Sequence, residues 1–144
     1  MRYGDWKPRG LMMRILTFAA IAALCACQTA ATEPAQRNAR AQKTYDGMLA
    51  GKVAGDPVRC LPTFRANDMV AIDENTILYR DGRTVYVNHP LGSCYGLGRF
   101  NNSLVTKTLG GNLCRGDLAL VIDLRTGVNA GNCALGDFVP YKPN

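Results

Sequence analysis

Reactive side chains are sparse in this chain of 144 residues: six cysteines, one histidine, His89, and two serines, Ser93 and Ser103. Acyl transfer needs a nucleophile, a base within hydrogen-bond reach and a third group that orients the base. His89 stands in Asn88-His89-Pro90, and neither serine lies in a Gly-x-Ser-x-Gly elbow. A base without its nucleophile does not make a catalytic constellation, so the sequence predicts no enzyme; the rival is a hydrolase using His89 with a distant aspartate. A metal would have to recruit His89 with Cys94, Cys114 and Cys133, but no Cys-x-x-Cys pair is present and none is expected. The run Gly92-Ser-Cys-Tyr-Gly-Leu-Gly98 matches neither a phosphate loop nor a dinucleotide fingerprint, so no cofactor is expected either. Tyr95, Phe100 and Tyr141, with Arg99 and Arg115, fall in loops or strand ends beside the cysteines. Tyrosine and arginine are enriched in binding hot spots. Tyr95, Arg99, Phe100 and Arg115 are therefore the candidate binding surface, against the plainer reading that they cap the ends of a small core.

Compartment decides what the cysteines are for. Within residues 12–28, Arg14 precedes ten uncharged residues, 15–24, which lead into Leu24-Cys25-Ala26-Cys27. A positive flank, a short apolar run and a small-residue end make an export signal. The run is too short for a membrane span, which needs about 20 apolar residues. Its ending resembles the bacterial lipobox, which implies that residues 1–26 are removed and Cys27 becomes the lipidated first residue. Cys25 in that role would put Leu24 just before the cut, where a small residue is required. Gln28 after the lipid cysteine, by resemblance to enterobacterial sorting, implies a periplasm-facing lipoprotein of the outer membrane. Met12 or Met13 is a more usual start than Met1.

Taking 26 residues from 144 leaves 118, and the net charge falls from +6 to +3, with 13 basic and 10 acidic residues interspersed. No basic stripe remains for nucleic acid. The length suits one small domain. Cys60, Cys94, Cys114 and Cys133 are an even set in an oxidising compartment, which predicts two disulfides. Three pairings are open. Cys94–Cys114 with Cys60–Cys133 is preferred, the first tying a long loop and the second the domain ends, at about 3 and 4 kcal/mol by loop entropy.

Residues 27–42 hold no large apolar side chain and read as a flexible tether. The domain then covers 43–144, with a short helix within 43–55, where Tyr45, Met48, Leu49 and Val53 recur at near-helical spacing. From Met69 the period becomes two, in MVAID, TILYR and TVYVN. A two-residue turn at Asp81-Gly82 pairs Tyr79 with Thr84, and a second at Glu74-Asn75 pairs Ile72 with Ile77. One face is then Val70, Ile72, Ile77, Tyr79 and Tyr86, and the other Ala71, Leu78, Val85 and Val87. A sheet apolar on both sides must be curled or covered. SLVTKT, residues 117–123 and a strand around Phe138 and Val139 bring the number to six. The expected fold is all-β, a small barrel or sandwich of about six short antiparallel strands stapled by disulfides.

The segments AGDPVRC, VAIDENTILYRDGRTVYVN, SCYGLGRF, LCRGD and CALGDFVPY resemble a family of small proteobacterial lipoproteins defined only as a domain of unknown function. The resemblance implies an exported β domain in the envelope and carries no catalytic residue. The expected function is a non-catalytic envelope lipoprotein, held to the membrane by lipid, whose β domain binds an envelope protein or cell-wall component. The alternative is an inhibitor of a periplasmic hydrolase of the lysozyme or protease type, with residues 91–100 as the inserted loop.

Overall fold

The computed structural model describes residues 37–144 apart from Asn67 and Leu109. The signal segment, Cys25 and the lipidation site Cys27 lie outside the described residues. Along the described chain run α1 (Ala39–Leu49), β1 (Lys52–Ala54), β2 (Cys60–Pro62), a 3-10 turn (Thr63–Arg65), β3 (Asp68–Asp73), β4 (Thr76–Asp81), β5 (Thr84–Asn88), β6 (Asn102–Lys107), β7 (Asn112–Cys114), β8 (Leu118–Asp123), β9 (Asn129–Ala134) and β10 (Phe138–Pro143). The strands form an antiparallel five-stranded sheet in the order β1-β10-β5-β4-β3, a three-stranded sheet β6-β8-β9 and a pair β2-β7. The fold is a small all-β sandwich with two disulfides.

The main core lies between the five-stranded sheet and the two smaller ones. Ile77, Tyr79, Tyr86 and Phe138 meet Leu61, Leu104, Leu113, Ala119 and Val121 there. Tyr79 and Phe138 pack tilted, with ring centroids 5.6 Å apart. Asn88 is fully buried in this layer, and its amide closes the β5–β10 end: Nδ2 donates to the Gly136 carbonyl at 2.8 Å and Oδ1 accepts from the Gly136 N–H at 3.2 Å. A buried amide so satisfied avoids the cost of an unpaired polar group.

The other face of the large sheet is equally apolar, and α1 covers it. Ala41, Tyr45, Met48 and Leu49 pack against Ile72, Leu78, Val85, Val87 and Tyr141. That spacing of four, three and one is a helix stripe. The helix begins at Ala39, inside the span expected to be tether, because Asn38 caps it: its Oδ1 accepts the Ala41 N–H at 2.8 Å. Arg37 just before it is pinned by Asp73 at 2.6 Å and lies over the Tyr45 ring. The helix also stops earlier than expected. Gly51 at φ 67 turns the chain, and residues 52–54 join β10 as a strand.

Two registers differ from the sequence expectation. The hairpin turn is Gly82-Arg83, with Asp81 still paired to Thr84 and Tyr79 opposite Tyr86. Glycine, at φ 57, takes the first turn position, which an L-residue accepts poorly. A shift of two residues leaves the facing of each side chain intact. At β3 the turn Glu74-Asn75 forms as expected, but a bulge between Ala71 and Asp73 puts Ala71, not Ile72, opposite Ile77. One extra residue reverses the facing of everything before it. Val70 and Ile72 therefore join the helix-covered core, while Met69 and Ala71 turn to the sandwich core.

The expected disulfide partners are also corrected. Cys60 pairs with Cys114 and Cys94 with Cys133. The reason for the first is register: β2 and β7 run antiparallel and set Cys60 directly opposite Cys114, with Cα atoms 4.0 Å apart. Cys94 and Cys133 then tie the 89–101 connection to β9. Cys94–Cys114 and Cys60–Cys133 do not form.

Candidate functional site

The connection between β5 and β6 is dense in glycine and carries three of the four residues of the expected surface. It is nonetheless tightly held. Glu74, in the β3–β4 turn, is the anchor: its carboxylate accepts the Gly96 N–H at 2.8 Å and the Ser93 hydroxyl at 3.3 Å, and its carbonyl accepts the Cys94 N–H at 2.8 Å. Asn102 donates through Nδ2 to the Gly96 carbonyl at 2.7 Å. Leu97 is buried in the main core, and Leu91 donates its N–H to the Ala134 carbonyl at 2.8 Å. On the β9 side the backbone of Tyr95 lies so close to Gly131 that a Cβ there would collide with the Tyr95 carbonyl.

Upon this frame Phe100 is 92% exposed and Tyr95 57%. The Arg99 guanidinium lies 4.7 Å from the Tyr95 ring centroid and 3.5 Å from the Glu74 carboxylate. An aromatic exposed to that extent on a braced loop is a large apolar surface that costs little ordering on binding. Beside it runs a groove of about 460 Å³, lined by the capping Asn38, by Arg40, Ala41 and Thr44 of the helix, and by residues 70–72 and 98–100. Arg40 and Arg99 place two positive charges on its rim.

Tyr95, Arg99 and Phe100 thus come together, and Arg115 does not join them. It sits in the turn after β7, where its guanidinium pairs with Asp137. Tyr141 lies on β10 and packs in the helix-covered core. Burial, the nearby Tyr141 hydroxyl and a hydrogen bond with it raise the pKa of Tyr45, against the pull of Arg37. Tyr141 is the case in which an aromatic caps a core. His89 is exposed; Nδ1–H donates to the Asn75 carbonyl at 3.0 Å. Among the described residues no carboxylate is its hydrogen-bond partner, and no group of three or more His, Cys, Asp or Glu is placed to hold a metal. The four cysteines of the domain are consumed by disulfides.

Two residues of interest gave no sequence signal. Glu74 braces a loop 22 residues away, a contact no local pattern encodes. Tyr79 read as core, and it is core, 1% exposed; yet its hydroxyl is the buried side-chain polar atom left without a hydrogen-bond partner among the described residues. An unpaired buried hydroxyl costs about 1–3 kcal/mol.

Comparison with family models, curated proteins and solved structures gives no match. The functional reading therefore rests on the chemistry of this chain alone.

Proposed function

We propose that this protein is a non-catalytic lipoprotein of the bacterial envelope, anchored through Cys27 and facing the periplasm from the outer membrane. Its β domain docks a second envelope component through the face formed by Tyr95, Arg99 and Phe100. The observation that carries the reading is Phe100, held almost fully in solvent by a loop fixed at Cys94, Gly96 and Leu97. The adjoining groove and its arginines suit a partner that offers an apolar side chain next to an acidic group. The same rigidity favours one narrower reading, in which the partner is a periplasmic hydrolase and residues 91–100 enter its cleft as an inhibitor.

The test is a photo-crosslinker at position 100 in living cells, followed by recovery from membranes. With a photoreactive phenylalanine standing at position 100, one partner should be captured, and lost when Arg99→Ala is added, with thermal stability unchanged. Capture that is indifferent to Arg99→Ala, or nothing captured at all, would overturn the docking face. A hydrolase in the adduct, slowed by the purified domain, would select the inhibitor reading. The anchor has its own readout. Cys27→Ala should release the protein from membranes, since stable anchoring needs more than one acyl chain.

A further inference from the structure

β3 is an outer strand of the five-stranded sheet: β4 pairs with it on one side, and no described strand pairs with it on the other. The phase of the hairpin fixes which of its backbone groups are satisfied. Asp81 and Thr84 flank a two-residue turn and so exchange hydrogen bonds, which directs Tyr79 and Ile77 toward β5 and Arg80 and Leu78 toward β3. Asp68 and Val70, opposite those last two, therefore bond β4, while the N–H and C=O groups of Met69 and Ala71 point outward. Among the described residues nothing hydrogen-bonds them on that side, and residues 69–71 are only half-buried. An opening flanks each side of this free edge. Toward the helix lies the groove that Arg40, Arg99 and Phe100 share with residues 70–72. Toward the three-stranded sheet lies one of about 340 Å³, where Ala66 and Met69 face Leu104 and Thr106 of β6.

We propose that the partner docked at the Phe100 face presents an extended acidic peptide segment, which adds to the free edge of β3 as a further strand. The inference rests on the docking face proposed above and names the kind of segment that fills it. Unpaired N–H and C=O groups at strand spacing are best matched by another extended backbone. Main-chain bonds supply the affinity, and alternate side chains enter the two openings in turn. Charge sets the preference on the helix side. Arg40 has no carboxylate partner among the described residues, Arg99 shares Glu74 at 3.5 Å, and no acidic side chain lines the groove. The open stretch is short, with Asp68 at one end and the bulge between Ala71 and Asp73 at the other. It therefore takes a segment of a few residues rather than the edge of a second whole sheet.

The probe is a soluble octapeptide alternating valine and glutamate, with a valine–lysine peptide as its control. At nine-tenths occupancy the acidic peptide should slow amide exchange at Met69 and Ala71 about tenfold, by mass action. Val70, already bonded to β4, should not change. N-methylation of alternate peptide residues should abolish binding in one phase and spare it in the other, because only one set of amides faces β3. Arg40→Glu alters an exposed side chain in the first helical turn, where a carboxylate suits the helix dipole, so the fold is kept. It should weaken the acidic peptide and strengthen the lysine one, each about fivefold. Shifts around Phe100 without protection at Met69 and Ala71 would overturn strand addition. So would equal effects of the two methylation phases, a preference untouched by Arg40→Glu, or no binding of the acidic peptide. The docking face itself stands or falls on capture at position 100, so the two readings fail separately.

Discussion

Glu74 does more for the candidate site than any residue that a partner would touch. Its carboxylate holds the Gly96 amide and the Ser93 hydroxyl and faces Arg99. Glu74→Ala should cost about 2 kcal/mol in denaturant unfolding, the scale of hydrogen bonds to a charged group. It should also abolish slow exchange at the Gly96 amide, while Glu74→Gln, which keeps an acceptor oxygen, should retain part of both. Asp123 does a comparable service at the β8–β9 turn. It accepts the Arg125 N–H at 2.8 Å and the Thr126 N–H at 3.2 Å, and these bonds hold its pKa below the ordinary 3.8. A depressed carboxylate stabilises the fold above the unfolded value and loses that contribution as pH falls through the folded one. NMR titration should place the Asp123 midpoint below 3.8, with the Arg125 and Thr126 amides shifting in the same step.

At the scale of elements, the sheet with two apolar faces is the governing fact. Leu78 and Ile72 are both buried under α1. Leu78→Ala should therefore cost about 2–5 kcal/mol, as a core deletion does, and Ile72→Ala a similar amount; a loss under 1 kcal/mol at Ile72 would mean that the bulge does not turn it inward. The alternation of β4 and β5 was legible because residues 76–88 keep strict period two on both sides of a glycine turn. The bulge was not, since nothing in MVAID distinguishes a regular strand from one with an extra residue at Ile72. β1, β2 and β7 are three residues each, too short to show a period. β9, NAGNCA, lacks the β-branched and aromatic residues that mark a strand. It is held by its hairpin ladder to β8 and by the bridge from Cys133 to Cys94, 39 residues away. For the site, the glycine-rich loop and its aromatics were visible, whereas the brace at Glu74 was not, and Arg115 was grouped with them by chain proximity to a cysteine rather than by space.

For the molecule as a whole, one staple reinforces a short ladder and the other ties a loop to a sheet. β2–β7 is a ladder of three residue pairs, and the Cys60–Cys114 link crosses it. Cys94–Cys133 fixes the 89–101 loop to the three-stranded sheet. The loops closed span 54 and 39 residues, and by chain entropy each bridge contributes about 4 kcal/mol. Oxidised protein should yield no free thiol from these four residues, and non-reducing peptide maps should join Cys60 to Cys114 and Cys94 to Cys133. Cys94→Ala with Cys133→Ala should additionally weaken docking at Phe100, whereas removing the other pair should lower stability alone. Loss of docking from the second pair and not the first would show that the brace described here is misplaced.

The order of the partners along the chain, 60 with 114 and 94 with 133, is interleaved. A polypeptide crossing a membrane from its N-terminus presents Cys60 and Cys94 to an oxidant while both correct partners are still behind them. Oxidation in order of appearance joins Cys60 to Cys94, and attack by a thiolate, from a later cysteine or from an isomerase, is needed to undo that link. On the export route proposed above, maturation would therefore require disulfide reshuffling. Its yield should fall in cells that can oxidise thiols but cannot isomerise them, with the Cys60–Cys94 species accumulating.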